Sequence, residues 1–262
     1  MDPALRTSAT GMIAQQVRVQ VIANNLANVN TPGFKRSRAH FEDLLYQTTQ
    51  GAGTIGDPFS GSTQAIQIGR GTRLAAVQRL DTQGPLEQTG RPLDLAIDGQ
   101  GMFQVRLPGG AIGYTRDGSF TISDQGLLVT QGGYPLVPEV VIPPDATEVM
   151  VSRTGVITVT QPGGVDPIEI GRIELARFAN PAGLRAIGEN LYVETTASGP
   201  PLMGTPQEDG FGRVIQGSLE ASNVEIVQEM VDMIAALRAY EINAKAIKAS
   251  EDMSEVTSGL LR

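Results

Sequence analysis

Cysteine and tryptophan are both absent from this chain, and histidine occurs once, at His40. Without cysteine there is no disulfide framework, no thiol nucleophile and no cysteine-ligated metal, and a thiol-free chain suits passage, unfolded, into an oxidising compartment. One histidine cannot build a multi-histidine metal site, so His40 reads as a surface or packing residue. Aromatic residues make up only 5% of the chain, too few for platforms that stack sugars or bases. No window approaches the roughly 18 consecutive apolar residues of a membrane-spanning helix. The N-terminal region, with Asp2, Arg6, Thr10 and Gln15, lacks the apolar core of a secretory signal. A formal net charge of −8 argues against nucleic-acid binding, which draws on a basic face. At 262 residues the chain can bury a sizeable core in one or two domains.

What is present is concentrated at the two ends. Around Val21 to Arg36, VIANNLANVNTPGFKR, the apolar residues Val19, Ile22, Leu26 and Val29 recur at helical spacing, with Asn24, Asn25 and Asn28 between them. Thr31-Pro32-Gly33 then supplies a stop. Proline disfavours helical geometry at the residue before it, and Gly33 can take the positive φ of a sharp reversal. Asparagine is a modest helix former, so three set so closely need partners for their amides, on a packed surface or in solvent.

Further upstream, Leu5, Met12, Val19 and Leu26 form one heptad line, and Ser8, Gln15, Ile22 and Val29 form a second that begins polar and becomes apolar. This is the pattern of a half-dry coiled-coil seam about 37 Å long; an amphipathic helix lying on its own globular domain is the alternative. From Asn223 the helical period returns. Ile226, Met230, Met233, Leu237, Tyr240, Ala244 and Ile247 share one face, widened by Val224, Val227, Val231 and Ile234. Two apolar lines on one helix imply more than one neighbour. Ser222 or Asn223 is the expected N-cap, with Glu225 in the first turn.

Between the ends the period is that of strands. The basic run Phe34 to Arg38 is answered by Glu42 and Asp43, and Gly51 to Gly61 is a glycine-rich loop. From Ile66 onward, short runs such as Leu93 to Asp98, Met102 to Leu107, Val156 to Thr160 and Ile168 to Phe178 are punctuated by turn signals at Pro108-Gly109-Gly110, Asp117-Gly118 and Pro143-Pro144. The predicted fold class is α+β, mostly β, with long helices at both ends packing as a coiled coil.

No reaction chemistry stands out. Asp94, Asp98, Asp117 and Asp124 could in principle pair for acid–base work on a glycoside, but aspartate beside glycine is ordinary turn chemistry. Ser60 and Ser62 do not form a nucleophile elbow, and Gly69-Arg70-Gly71 and Gly99-Gln100-Gly101 lack the third glycine of a phosphate loop. No catalytic residue, cofactor site or metal site is predicted.

The N-terminal stretch resembles the signature of the flagellar axial proteins, the rod and hook components of the bacterial flagellum. FEDLLYQT at Phe41 to Thr48, YTRDGSF at Tyr114 to Phe120, IGENLY at Ile187 to Tyr192, QGSLEASNV at Gln216 to Val224 and RAYEINAKAI at Arg238 to Ile247 agree with it in the family's order. FEDLLYQT and the chain length are most similar to the distal-rod branch.

The resemblance implies a domain order. An N-terminal axial helix occupies 1–33 and an extended, glycine-rich rod-specific segment 34–65. A β-rich inner domain comprises 66–137 and 179–220, a smaller inserted outer β domain 138–178, and a C-terminal axial helix 221–262. It implies a structural subunit that assembles helically with copies of itself into a stiff hollow shaft enclosing an export channel and carrying torque from motor to hook. The implied partners are proximal rod proteins, the hook protein, the surrounding bushing rings and the flagellar type III export apparatus, with export to the periplasmic rod without a cleaved signal. Axial packing falls to Leu5, Met12, Val19, Ile22, Leu26 and Val29 with Val227, Met230, Ile234, Leu237, Tyr240 and Ile247, and register to Asn24, Asn25 and Asn28. Terminal helices of this kind are expected to be largely disordered before assembly. Another axial role, proximal rod or hook, is the alternative within the family; from a different class, the alternative is a secreted β-rich binding module or wall-active enzyme.

Overall fold

The computed structural model describes residues 3–50, 66–162 and 166–260; the loop expected at Gly51 to Gly61 lies outside them. The fold is α+β and mostly β, with one helix near each end. The chain divides into two compact units, one of residues 1–26, 37–78 and 225–262, the other of residues 27–36 and 79–224.

The first unit contains helix α1 (Pro3–Ala27), helix α2 (Ile226–Leu260) and a long antiparallel ribbon. Proline at the start of α1 lies where its missing N–H is not needed. Helix α2 runs for 35 residues without proline, and its first turn carries Glu229 where a carboxylate suits the helix dipole. Asn223 is not its N-cap, as the sequence suggested. The helix begins three residues later, and the Asn223 side chain is engaged elsewhere, as described below.

In the ribbon, Tyr46–Gln50 pairs with Ile66–Gly69, Tyr46 opposite Gly69, and Ser37–Asp43 pairs with Thr72–Arg79. Leu44 N donates to Gly71 O at 2.9 Å between the two stretches. Gly71 sits at φ +108°, where a Cβ would come within 2.1 Å of Thr10 Oγ1. Glycine therefore lets the ribbon meet α1 there, and Thr72 N donates to Thr10 Oγ1 at 3.3 Å. Leu45, Tyr46, Ile68, Leu74 and Val77 remain exposed along it.

The second unit is built on a sheet in the order Arg185–Gly188, Leu191–Val193, Ile112–Thr115, Met102–Arg106, Leu175–Arg177, Leu202–Gly204. Successive side chains of a strand point to opposite faces, and this sheet is covered on both. Phe103 joins Leu95, Phe120, Leu136 and Leu175 in one apolar cluster, while Met102 joins Tyr114, Phe178 and Tyr192 in a second. Phe103 and Phe120 meet edge to face at 5.2 Å, as do Tyr114 and Phe178 at 4.7 Å. A small antiparallel sheet of Glu148–Val151, Val156–Thr160 and Ile168–Arg172 turns Ile157 and Val159 into the first cluster, so the β structure shares one main core.

The stop after α1 belongs to this unit. Phe34 N closes a turn on Thr31 O at 3.2 Å, and Gly33 adopts φ +69° with its N–H donating to Glu220 O at 2.7 Å. A Cβ at Gly33 would lie 2.7 Å from the backbone of Arg116 and Asp117. Gly33→Ala is expected to lose about 1–3 kcal/mol from backbone strain alone, with more from the clash, read by urea unfolding of the full chain.

Candidate assembly surfaces

Two arrangements stand out, a seam between α1 and α2 in the first unit and a buried ionic cluster in the second. Among the described residues no set of acidic or histidine side chains could hold a metal, and no helix is long and apolar enough to cross a membrane.

In the first unit the contacts between α1 and α2 step backward along one helix as they step forward along the other. Asn25 meets Glu229, Arg18 pairs with Asp232 at 3.2 Å, and Gly11 lies against Asn243. The helices are therefore antiparallel. Their seam is small and polar. Glu229, Ala236, Asn243 and Ser250 follow one another at heptad spacing; Glu229, Ala236 and Ser250 are buried, as are Ala14, Ile22 and Asn25 of α1. Burying alanine yields little hydrophobic free energy against about 1.5–3 kcal/mol for a large aliphatic side chain, so this seam is weakly driven by burial, and its polar groups add directional contacts.

Asn25 is the chief of those groups. Its Nδ2 donates to Ser37 O at 2.8 Å and to Glu229 Oε2 at 3.1 Å, while its Oδ1 accepts from Ser37 N at 2.8 Å. One amide thus joins α1, the returning chain and α2. Asn24 is exposed, and Asn28 instead accepts from Thr31 Oγ1 in the turn that ends α1. The structure buries Ile22 and leaves Leu5, Met12, Val19, Leu26, Val29 and Ile247 half-buried. The other α2 residues of the expected packing line turn outward: Val227 is 76% exposed, Met230 and Ile234 51%, Leu237 46% and Tyr240 41%. Sequence reasoning missed Ser37, Glu229, Arg18, Asp232 and Ala236. The heptad of small and polar residues from Glu229 to Ser250 is the signal in the sequence, masked there by the stronger apolar period of the neighbouring face.

In the second unit, Lys35, Arg116 and Glu220 form a buried ionic cluster. Lys35 Nζ pairs with Glu220 Oε1 and donates to Thr82 O at 2.8 Å. Arg116 Nε lies 2.9 Å from Glu220 Oε2, and its other nitrogens donate to Gly99 O and Gly101 O. Gly84 N also donates to Glu220 Oε1, at 3.0 Å. Burial lowers the pKa of Lys35, opposed by the Glu220 carboxylate, and lowers that of Arg116 against the same partner. The two cations line a cavity of about 510 Å³ with Asp81 and Phe178. Lys35 and Arg116 are spent on Glu220 and on backbone carbonyls, so the cluster holds chain segments together. Nearby, Asn223 Oδ1 accepts from Arg36 N at 2.7 Å, and its Nδ2 donates to Leu80 O and Thr82 O at 2.9 and 3.0 Å.

Residues 5–35 match the family model described as flagella basal body rod protein, residues 96–159 the flagellar hook protein FlgE/F/G D1 domain, and residues 215–260 the flagellar basal body rod FlgEFG protein C-terminal region. The chain is 48% identical to the flagellar basal-body rod protein FlgG of Borreliella burgdorferi over the whole of both chains. It is 46% identical to that of Caulobacter vibrioides over 98% of each. It is also similar to the FlgF rod protein of Caulobacter vibrioides, 36% identical over 97% of this chain and 96% of that one.

Two outcomes are expected. Asn25→Ala strands the Ser37 N–H and removes a hydrogen bond from Glu229, so it should lose about 1–3 kcal/mol of helix stability in thermal unfolding followed by far-ultraviolet ellipticity. Lys35 sheds its proton more readily in the folded than in the unfolded chain, so in the window between its depressed value and the ordinary 10.5 the unfolded chain holds the extra proton. Stability owed to this group therefore rises with pH across that window. The rise should be absent from Lys35→Met, and equal alkaline slopes for variant and wild type would count against the assignment.

Proposed function

The chain belongs to the flagellar basal-body rod protein family and is a structural subunit of that rod, not an enzyme; from that premise we propose that it builds the distal rod. Copies polymerise helically into a rigid hollow shaft that carries torque from motor to hook and encloses the export channel. The observation that carries this reading is the outward apolar line of α2, Val227, Met230, Val231, Ile234 and Leu237, left uncovered by a seam of small and polar residues. A continuous apolar stripe of this kind on an otherwise polar helix marks a surface meant for a partner, and a second copy presents the same stripe.

On this reading α1 and α2 pack as an antiparallel coiled coil whose register Asn25 sets, and α2 packs laterally on helices of neighbouring copies. The weak seam leaves the helices of a lone subunit short of burial, so they complete their folding on assembly. The small sheet within 138–178 serves as the inserted outer domain, resting through Ile157 and Val159 on the inner β domain. The extended segment 34–65 adds rod-specific contacts. The axial neighbours are proximal rod proteins and the hook protein, with bushing rings outside. Delivery is by the flagellar type III export apparatus, to the periplasmic rod, without a cleaved signal.

The test is Met230→Glu combined with Leu237→Glu. Both side chains are exposed in the single chain, so its melting temperature should change by no more than a few degrees, as for surface substitutions worth about 0.5 kcal/mol or less. In cells lacking their own rod subunit, the double variant should be exported yet form no complete rods by electron microscopy of basal bodies. Normal rods from this variant would remove α2's outer face from the assembly.

A further inference from the structure

The groups around Glu220 share one property that stability alone does not require. Each joins the chain leaving α1, residues 27–36, or the chain approaching α2, residues 218–224, to the β framework of the second unit. The Glu220 carbonyl accepts from Gly33 N, and its carboxylate holds Lys35, Gly84 N and Arg116. Arg116 in turn grips Gly99 and Gly101. Three residues on, Asn223 ties Arg36 to Leu80 and Thr82. Lys35 and Glu220 are almost wholly buried, with 2% and 1% of their side chains exposed.

Apolar contacts could hold these segments as tightly, but they are non-directional and let packed chains slide. Charge-assisted and backbone hydrogen bonds fix distance and angle together. A buried ionic cluster often gives no more stability than apolar residues of the same volume, so what it adds is one defined geometry.

We propose that Lys35, Arg116, Glu220 and Asn223 are positioning residues of the shaft, a polar latch that holds the segments leading to both terminal helices in a single geometry so that torque passes without slack. This rests on the reading of the chain as a rod subunit. The latch works on the folded chain itself and needs no ligand.

The test uses the full chain in two forms, Lys35→Met with Arg116→Met and Glu220→Leu, and separately Asn223→Ala. The second strands no buried charge and carries the same test should the triple variant not fold. Amide hydrogen exchange at residues 33–36, 80–84 and 221–224 should quicken about 10-fold or more, while the strand Met102–Arg106 keeps its protection and the melting remains cooperative. Placed in cells lacking their rod subunit, the variants should swim normally in dilute medium and slow disproportionately as viscosity is raised. Unchanged exchange at the latch, or a speed–viscosity curve coincident with wild type, overturns the proposal. Failure of the wild-type chain itself to restore rods would instead overturn the rod reading, and the exchange result would still stand.

Discussion

A single buried carboxylate organises the second unit. Glu220 faces two cations that burial pushes toward giving up charge, and it offsets their desolvation with an ion pair on each side. Taking charges out of water is costly, so such a cluster persists only where every member is paired. Here the pairing draws together the turn after α1, the stretch around Gly84 and the backbone at Gly99 and Gly101. Gly33 is confined by the same arrangement, since its φ and its closeness to Arg116 exclude a side chain.

The first unit depends on weaker forces arranged differently. Its helices meet through alanine, asparagine and glutamate, so the free energy available from burial is small and the direction of the amide and carboxylate groups matters more. The strong apolar residues of α2 are kept for the opposite face. That division fits the proposed polymer, with directional polar contacts in the internal seam and an apolar external face for another copy to meet. The exposed ribbon of residues 37–50 and 66–79 has the same character, with apolar side chains displayed on only two strands.

Much of the fold was legible in one dimension. Helical spacing at both ends, the Thr31-Pro32-Gly33 stop and the dense turn signals of the middle each reflect local propensity and period, which a sequence carries directly. The pairing of Ile66–Gly69 with Tyr46–Gln50 was not legible, because strand partners so far apart in sequence leave no local mark. Asn223 misled for a related reason. Its identity suits a helix cap, but competing backbone partners at Arg36, Leu80 and Thr82 claim its amide.

By itself, the sequence determined that this is a mostly β protein with a long helix at each end, without thiol chemistry, and of the flagellar axial type. Composition, periodicity and motif order carry that information along the chain. Which face of α2 meets α1 was decided only by the tertiary structure. Hydrophobicity favoured the Met230 and Leu237 line, but partnering depends on complementarity between two surfaces, and the polar Glu229, Asp232 and Asn243 meet Asn25, Arg18 and Gly11. The three-way pairing of Lys35, Arg116 and Glu220 was likewise decided in space, since residues so far apart in sequence become one electrostatic unit only when the fold removes the water between them.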